Sequence, residues 1–413
     1  MQGTASTEKE HQVMIFSHKI QLDPNNKQRT HFCKAAGVAR FVYNWSLAEW
    51  SRMYEAWKED NTKEKPSYYV LDKKLNAIKK DQFPWMSEVS ANIQQTAGIN
   101  LQSAFLNFFK GIGQHPVFKK KGKCKDSFKL SNAKVTIKGS NIRIEKLGWV
   151  RMSKPLRFKG KIMSATLSRT ADKWFVSIAV ELDDFSHLTE PENQGTVGVD
   201  LGVKDLAVLS NGEVFTGSKP HKKLLKTLQR RSRSLSRKVK GSKNRKKAAI
   251  KVAKLHYRIA CVRNDALHKL TTDLTRRFDT IVIEDLNVSG MVKNHKIARA
   301  ISDMGFYEFR RQLEYKAAMR DRSVIVVDQW FPSSKTCSVC GFKQETLPLS
   351  VRNWECPTCN TVHNRDQNAA QNLVQYAVGS TVSACGVDGS GNRIYPIVKP
   401  ATMKQEANTN PVG

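Results

Sequence analysis

Two short cysteine knuckles constrain this chain more than any other feature. Cys337-Ser338-Val339-Cys340 and Cys356-Pro357-Thr358-Cys359 are separated by fifteen residues, a spacing that fits a structural zinc site. Four thiolates complete a tetrahedral shell around Zn²⁺ and leave no position for a substrate, so such an ion is architectural. The alternatives are a redox pair, which needs only one C-x-x-C, and an iron–sulfur cluster. A ribbon this short has no core of its own, and the metal takes its place. Directly behind it, Asp366 stands seven residues past Cys359 and opens the helix-prone run Asn368-Ala369-Ala370.

Two more acidic residues sit where a carboxylate needs explaining. Asp200 ends the apolar run Val197-Gly198-Val199, and Glu284 ends Ile281-Val282-Ile283. A carboxylate at the end of a β-branched strand is costly to bury unless it is paired or bound to a cation. If Asp200, Glu284 and Asp366 converge, they would hold Mg²⁺, a hard ion that takes oxygen ligands. Two such ions about 4 Å apart activate water and stabilise the leaving oxygen of a phosphodiester. Taken singly, each residue reads better as an ordinary turn or cap residue, and only their order along the chain favours convergence. Asp205, Asp285 and Asp328 are read as structural.

The charge balance points the same way. Across 413 residues, 69 Lys and Arg stand against 37 Asp and Glu, a net charge of +32. Such an excess favours a polyanionic partner through counterion release, with nucleic acid first. An anionic membrane surface is the rival, but the basic stretches lack the apolar faces of interfacial helices. No apolar run reaches the ~20 residues of a membrane span, and the polar start MQGTASTEKEHQ has no signal-peptide core. The expected location is therefore cytoplasmic, nucleoid-associated in a prokaryote, with no membrane partner. Eight cysteines in a long intracellular chain argue against a disulfide framework. Cys33, Cys124, Cys261 and Cys385 are read as incidental thiols.

Hydrophobic periodicity suggests a multidomain α+β chain. Residues 12–22 read as a strand, after which Asp23-Pro24 starts a helix. Helical patterns cover 25–60 and 87–112, with a polar linker at 58–67. Alternating runs over 115–182 suggest a small β-barrel or sandwich. The expected division is a β-domain at 1–24 and 113–184, interrupted by a helical domain at 25–112. The acidic stretch 183–195 is the main boundary. A further domain spans 195–330 and 363–378, with the cysteine ribbon at 331–362 inserted in it and a mobile tail at 379–413. Within it, 219–258 is a basic helical region with 17 Lys and Arg, no acidic residue, and a bend at Gly241-Ser242.

In this order, VGVDLGVKDLAVLSNG, IVIEDLNVSGM, CSVC…CPTC and HNRDQNAAQNL resemble the transposon-associated TnpB (OrfB zinc-ribbon) proteins. These are RNA-guided DNA endonucleases related to the type V CRISPR effectors. The motifs cover about 200–375 and are highly specific in combination; ARFVYNW and HPVFKKKGKCKDSF add a weaker match in front. The resemblance implies a split, ribonuclease H-like RuvC nuclease with Asp200, Glu284 and Asp366 as its Mg²⁺-binding catalytic triad. It also implies a target-nucleic-acid-binding zinc ribbon held by Cys337, Cys340, Cys356 and Cys359, a wedge β-barrel, and a helical recognition insertion. The family often has Asp-Arg-Asp before the last helix, where this chain has Asn364-Arg365-Asp366. That departure touches only an auxiliary position.

The implied partners are a guide RNA and target double-stranded DNA, held as a heteroduplex through its backbone while pairing reads the sequence. Lys119, Lys120, Lys121, Arg230, Arg231, Arg233 and Arg365 are candidate nucleic-acid contacts, each weighed against an ordinary surface role. Phe41, Trp45, Trp50 and Trp57 are read mainly as core. The competing functions are an RNA-guided DNA-binding repressor that does not cut and a transposase or recombinase accessory protein. A CRISPR effector is a neighbour of the leading reading.

Overall fold

The computed structural model of the chain describes residues 14–182, 192–348 and 350–385. The polar start, residues 183–191 of the acidic boundary and the tail beyond 385 lie outside them. The chain divides into two compact units, 1–189 with 224–260, and 190–223 with 261–413.

In the first unit, β1 (Met14–Asp23) leads into the long helix α1 (Asn26–Glu59). Asn25 caps that helix: its side chain accepts from the Gln28 amide, and the Gln28 side chain accepts from the Asn25 amide. Pro24 thus precedes the cap rather than entering the first turn. Helices α2 (Tyr68–Gln82) and α3 (Ala91–Phe109) follow. The sequence pattern gave no sign of α2, because it buries only Leu71 and Leu75.

Six strands complete the unit: β2 (Ser127–Ser131), β3 (Val135–Lys138), β4 (Asn141–Ile144), β5 (Gly148–Met152), β6 (Lys161–Thr170) and β7 (Lys173–Leu182). They join β1 in an antiparallel seven-stranded sheet, ordered β2-β6-β7-β1-β5-β4-β3. The edge strands β2 and β3 are consecutive and joined by the short turn Asn132–Lys134. In a flat sheet those edges would lie about 29 Å apart, and a link of that length spans at most about 14 Å. The sheet therefore curls until its edges approach each other. Its interior is filled by Ile142, Val150, Leu167, Val176 and Ile178, together with Phe32, Ala35 and Val38 of α1.

The basic region forms two helices, α4 (Pro220–Ser236) and α5 (Lys243–Arg277), with the expected bend at Gly241, whose φ is +85°. Within the expected span 195–330, residues 224–260 group with the first compact unit. There Leu228, Leu255 and Ile259 form a small cluster. Lys254 pairs with Asp172 at 2.7 Å, and the rings of Tyr257 and Phe175 lie 5.8 Å apart.

The second unit is built on β8 (Thr196–Asp200), β9 (Ala207–Leu209), β10 (Val214–Phe215), β11 (Thr280–Glu284) and β12 (Ser323–Val327). Their order is β10-β9-β8-β11-β12. The central strands β8, β11 and β12 are parallel, while β9 and β10 return antiparallel. The continuous apolar runs of β8 and β11 reflect burial on both faces. Helices α6 (Val288–Met291), α7 (Ala298–Met304) and α8 (Phe306–Ala318) follow β11. On one face Val197, Val199, Ile281 and Ile283 pack with Leu270 and Leu274 of α5 and Phe309 and Leu313 of α8. The ribbon carries β13 (Asn353–Glu355) and β14 (Val362–Asn364) and leads into α9 (Arg365–Cys385). Leu373 and Ala377 of α9 cover Val282 and Val327 on the other face. Helix α9 thus continues past 378, through the first residues expected to be tail.

Candidate active site and metal centre

Parallel register brings the first two carboxylates together. Val199 of β8 stands opposite Ile283 of β11, so Asp200 and Glu284 follow on neighbouring strand ends. The third comes from α9, whose first turn carries Asp366. Helix and strand meet closely because both are stripped of bulk at the contact. A methyl group at Gly198 would sit 1.9 Å from the carbonyl oxygen of Ala370. Ala369 and Ala370 are both fully packed away, as their small side chains suggested.

The electrostatics record this convergence. Asp200 keeps some solvent exposure as a residue, yet its carboxyl is pushed up to about 8. Burial is the largest cause, followed by the negative charges of Glu284 and Asp366, while Arg365 and Arg352 oppose the shift. The other two carboxylates are held by neighbours. Glu284 accepts from the Ser333 hydroxyl. Asp366 accepts from the Arg352 guanidinium at 3.0 and 3.4 Å. Among the described residues, the only group of three or more acidic, Cys or His ligand atoms lying within 4.8 Å of one another is the four cysteines.

Asn364 explains the departure from Asp-Arg-Asp. Its side-chain oxygen accepts from the amides of Asp366 and Gln367, both at 3.2 Å, and so caps α9. Asparagine caps a helix about as well as aspartate. Arg365 is buried and donates to the Pro348 carbonyl at 2.7 Å and the Leu347 carbonyl at 3.4 Å. Its guanidinium is therefore engaged in holding the ribbon backbone. Asp285 pairs with Arg310, and Asp328 accepts from the Trp330 amide, both in structural roles.

The cysteine ribbon is well formed. Cys337 and Cys359 place their sulfurs 3.6 Å apart, and Cys340 and Cys356 theirs 3.5 Å apart. Zinc–thiolate bonds of about 2.3 Å in a tetrahedron put sulfurs roughly 3.8 Å apart, so the set fits that ion. Each knuckle turns through a left-handed residue, Gly341 at φ +77° and Asn360 at φ +56°. His363 lies with Nε2 3.0 Å from Cys337 Sγ. The Thr361 hydroxyl stands 3.2 Å from Cys359 Sγ, and its side chain and amide pull that thiol down to about 6.

Sequence reasoning did not single out the side chains that join ribbon to site. Asn368 and Asn372, one turn apart on α9 and both buried, donate to the Thr336 carbonyl at 2.7 Å; Asn372 also reaches the Ser333 carbonyl at 2.6 Å. Two asparagines four apart flanking Ala369-Ala370 were a readable signal of a helix with a polar seam. Arg352 and Ser333 carried no comparable signal, because their partners lie far away in sequence.

Of the candidate nucleic-acid contacts, Lys120, Lys121, Arg230 and Arg233 are exposed. Arg231 donates to the Lys251 carbonyl at 3.2 Å, across the two basic helices. Lys119 lies over the Tyr43 ring at 3.6 Å, and its backbone is clasped by Asn44 at 2.8 and 2.9 Å. Trp50 is buried and Trp45 packs against the same cluster, in line with a core role.

Comparison with known proteins places this arrangement. A family model described as "Probable transposase" matches residues 176–295, and one described as "Cas12f1-like, TNB domain" matches 306–373. A protein of Streptomyces pristinaespiralis named "Putative RNA-guided DNA endonuclease" is 39% identical, over 94% of this chain and 95% of its own. The chain belongs to the TnpB (OrfB zinc-ribbon) family. An Escherichia coli relative of this TnpB chain, "Putative RNA-guided DNA endonuclease InsQ", is 34% identical over 89% of this chain and 93% of its own. A Cas12f1 chain, solved by cryo-EM in a complex with guide RNA and target DNA, shares 16% identity at a TM-score of 0.51, covering 84% of this chain and 82% of that one. That likeness shows a shared α+β fold. A model described as "Helix-turn-helix domain" matches 14–59, which in this TnpB chain is β1 followed by the 34-residue α1. No helix among the described residues is long and apolar enough to cross a membrane.

Proposed function

We propose that this chain is a transposon-encoded, RNA-guided DNA endonuclease that cuts by Mg²⁺-dependent hydrolysis next to a short flanking motif. The observation that carries this reading is the meeting of Asp200, Glu284 and Asp366 at one end of the second unit's sheet, expressed in the raised proton affinity of Asp200. The strand order β10-β9-β8-β11-β12 supports a ribonuclease H-like RuvC domain. The curled seven-stranded sheet and α1–α3 correspond to the wedge and recognition parts.

The donor set suits Mg²⁺. Three carboxylates offer hard oxygen ligands, and a divalent cation would offset the burial and mutual repulsion that raise the proton affinity of Asp200. Bound there, a pair of such ions would activate a water and stabilise the leaving oxygen of a phosphodiester. The chain's own contribution is placement. Parallel register sets Asp200 beside Glu284, Ser333 orients Glu284, and the asparagine seam of α9 fixes Asp366. Arg352 pairs with Asp366 and offsets its charge. Zinc held by Cys337, Cys340, Cys356 and Cys359 would fasten the ribbon from which Ser333, Arg352 and α9 depart.

The names of the relatives support guide RNA and target DNA as partners, and the net charge of +32 suits them. The test is to co-express the chain with its flanking DNA, sequence the RNA that copurifies, and supply duplex DNA matching that RNA with Mg²⁺. Cleavage that Asp200→Ala removes while RNA retention persists is the expected result. RNA-programmed binding without any cut, in the presence of Mg²⁺, would replace this reading with a repressor.

A further inference from the structure

The end of α3 carries an apolar cluster that the nuclease reading leaves unused. Phe105 stacks on the buried Trp50 at 4.4 Å and anchors the cluster inward. The loop after the helix folds back so that His115 meets Phe105 at 5.5 Å and Phe108 at 5.1 Å, both edge-on. Phe108 and Phe109 lie 5.5 Å apart. The same short segment carries bare apolar side chains: Phe109 is 60% exposed, Val117 73% and Phe118 55%, with Leu106 and Ile112 at 50%. Scattered exposed hydrophobics need no explanation, but a group of them does.

Charge narrows what can cover this patch. Residues 106–125 hold six lysines and no acidic residue. Lys119 is tied to Tyr43 and Asn44, while Lys110, Lys120, Lys121 and Lys123 are exposed. A second copy of this chain would bring like charges face to face. An anionic lipid surface is met by helices with a long apolar stripe, whereas here the bare rings lie at a helix end and in a loop. Flat rings among lysines suit a ligand with its own rings and a phosphate at each step, because base–aromatic stacking is worth about 1–3 kcal/mol per base and tolerates any sequence.

We infer that the exposed rings of Phe109 and Phe118 each offer a face on which an unpaired nucleobase of a single-stranded segment stacks, with Lys110, Lys120, Lys121 and Lys123 meeting its phosphates. This rests on the reading of the chain as a nucleic-acid enzyme and adds a contact to bases that guide pairing does not provide.

The test uses the full-length protein, freed of RNA, in Mg²⁺-free buffer, so its result is independent of cleavage. Two probes are titrated: a short oligothymidylate and an abasic oligomer of equal length and charge. The wild type is expected to prefer the oligothymidylate. Phe109→Ala and Phe118→Ala should each cut that preference by about fivefold to tenfold, as loss of one stacked base implies. Abasic binding should stay unchanged, and Phe109→Trp should restore the preference. An oligomer carrying 5-iodouracil should crosslink within 105–118. Equal affinity for both probes, or a preference that neither alanine variant reduces, overturns the inference. So does a change of oligomeric state in Phe109→Ala, which assigns the patch to a second copy. Binding to phosphatidylserine vesicles that Phe109→Ala abolishes assigns it to lipid instead.

Discussion

The second unit gathers two ligand clusters, and they are built in opposite ways. The four thiols of the ribbon stand together, all within 4.8 Å, on turns that fix them. The three carboxylates come from two strands and a helix, with Ser333 and Arg352 engaged to two of them. A closed, preassembled set suits an ion that never leaves. A set gathered from separate elements, two of its members already hydrogen-bonded to protein donors, suits ions that arrive with a substrate.

The strongest way to break this contrast is to remove one thiol. Cys356→Ser should lose the bound zinc, measured as metal per protein, and expose 331–362 to protease, since structural zinc provides about 10–16 kcal/mol of folding free energy in small domains. Asp200→Asn should do the reverse, lowering the cleavage rate by roughly 10³-fold or more, the scale of losing a principal electrostatic stabiliser. Its zinc content and melting temperature should not fall. If Asp200→Asn instead unfolds the unit, the carboxylate set is architectural too and the contrast is lost.

Gly198→Ala probes what brings the third carboxylate in. A methyl 1.9 Å from the Ala370 carbonyl forces α9 away, at a cost of about 3 kcal/mol or more. Chemical denaturation should show the loss, and cleavage should fall with it while zinc stays bound.

The two clusters should also part company with pH. In Mg²⁺-free buffer the folded chain keeps a proton on Asp200 up to about 8, whereas the unreinforced carboxyl releases it near 3.8. Between those values the folded state binds more protons than the unfolded one, so stability falls as pH rises and levels off above the window. Thermal melts across that range should show the decline, and Asp200→Asn should flatten it. The smallest effect is that of Arg352→Ala. Freeing Asp366 from a part-exposed pair worth about 0.5–1 kcal/mol should tighten Mg²⁺ binding about threefold by calorimetry.

Much of this site was legible because short-range chemistry wrote it into the chain. The cysteine spacing, the carboxylates ending β-branched runs, and Ala369-Ala370 after Asp366 each follow from a local requirement. The strands of both sheets and the Gly241 bend were readable for the same reason. What stayed hidden depends on distant partners. Arg352 and Ser333 gain meaning only when the ribbon folds against Glu284 and Asp366. Arg365 and Lys119 looked like free cations until their carbonyl and ring partners were in place. Helix α2 escaped notice because it buries too little to leave a pattern, and the basic segment 224–260 gave no sign that its apolar residues sit with the first unit.

The position of the ribbon between β12 and α9 has a consequence during synthesis. Asp200 and Glu284 leave the ribosome early, and their parallel strands can pair as soon as β11 is made. Asp366 follows only after Cys359, the last cysteine of the ribbon, so a nascent chain carries an open sheet face and an incomplete set of charges until the ribbon has been made. On the proposed reading, the set of carboxylates that would cut DNA is complete only when translation of the chain is nearly done.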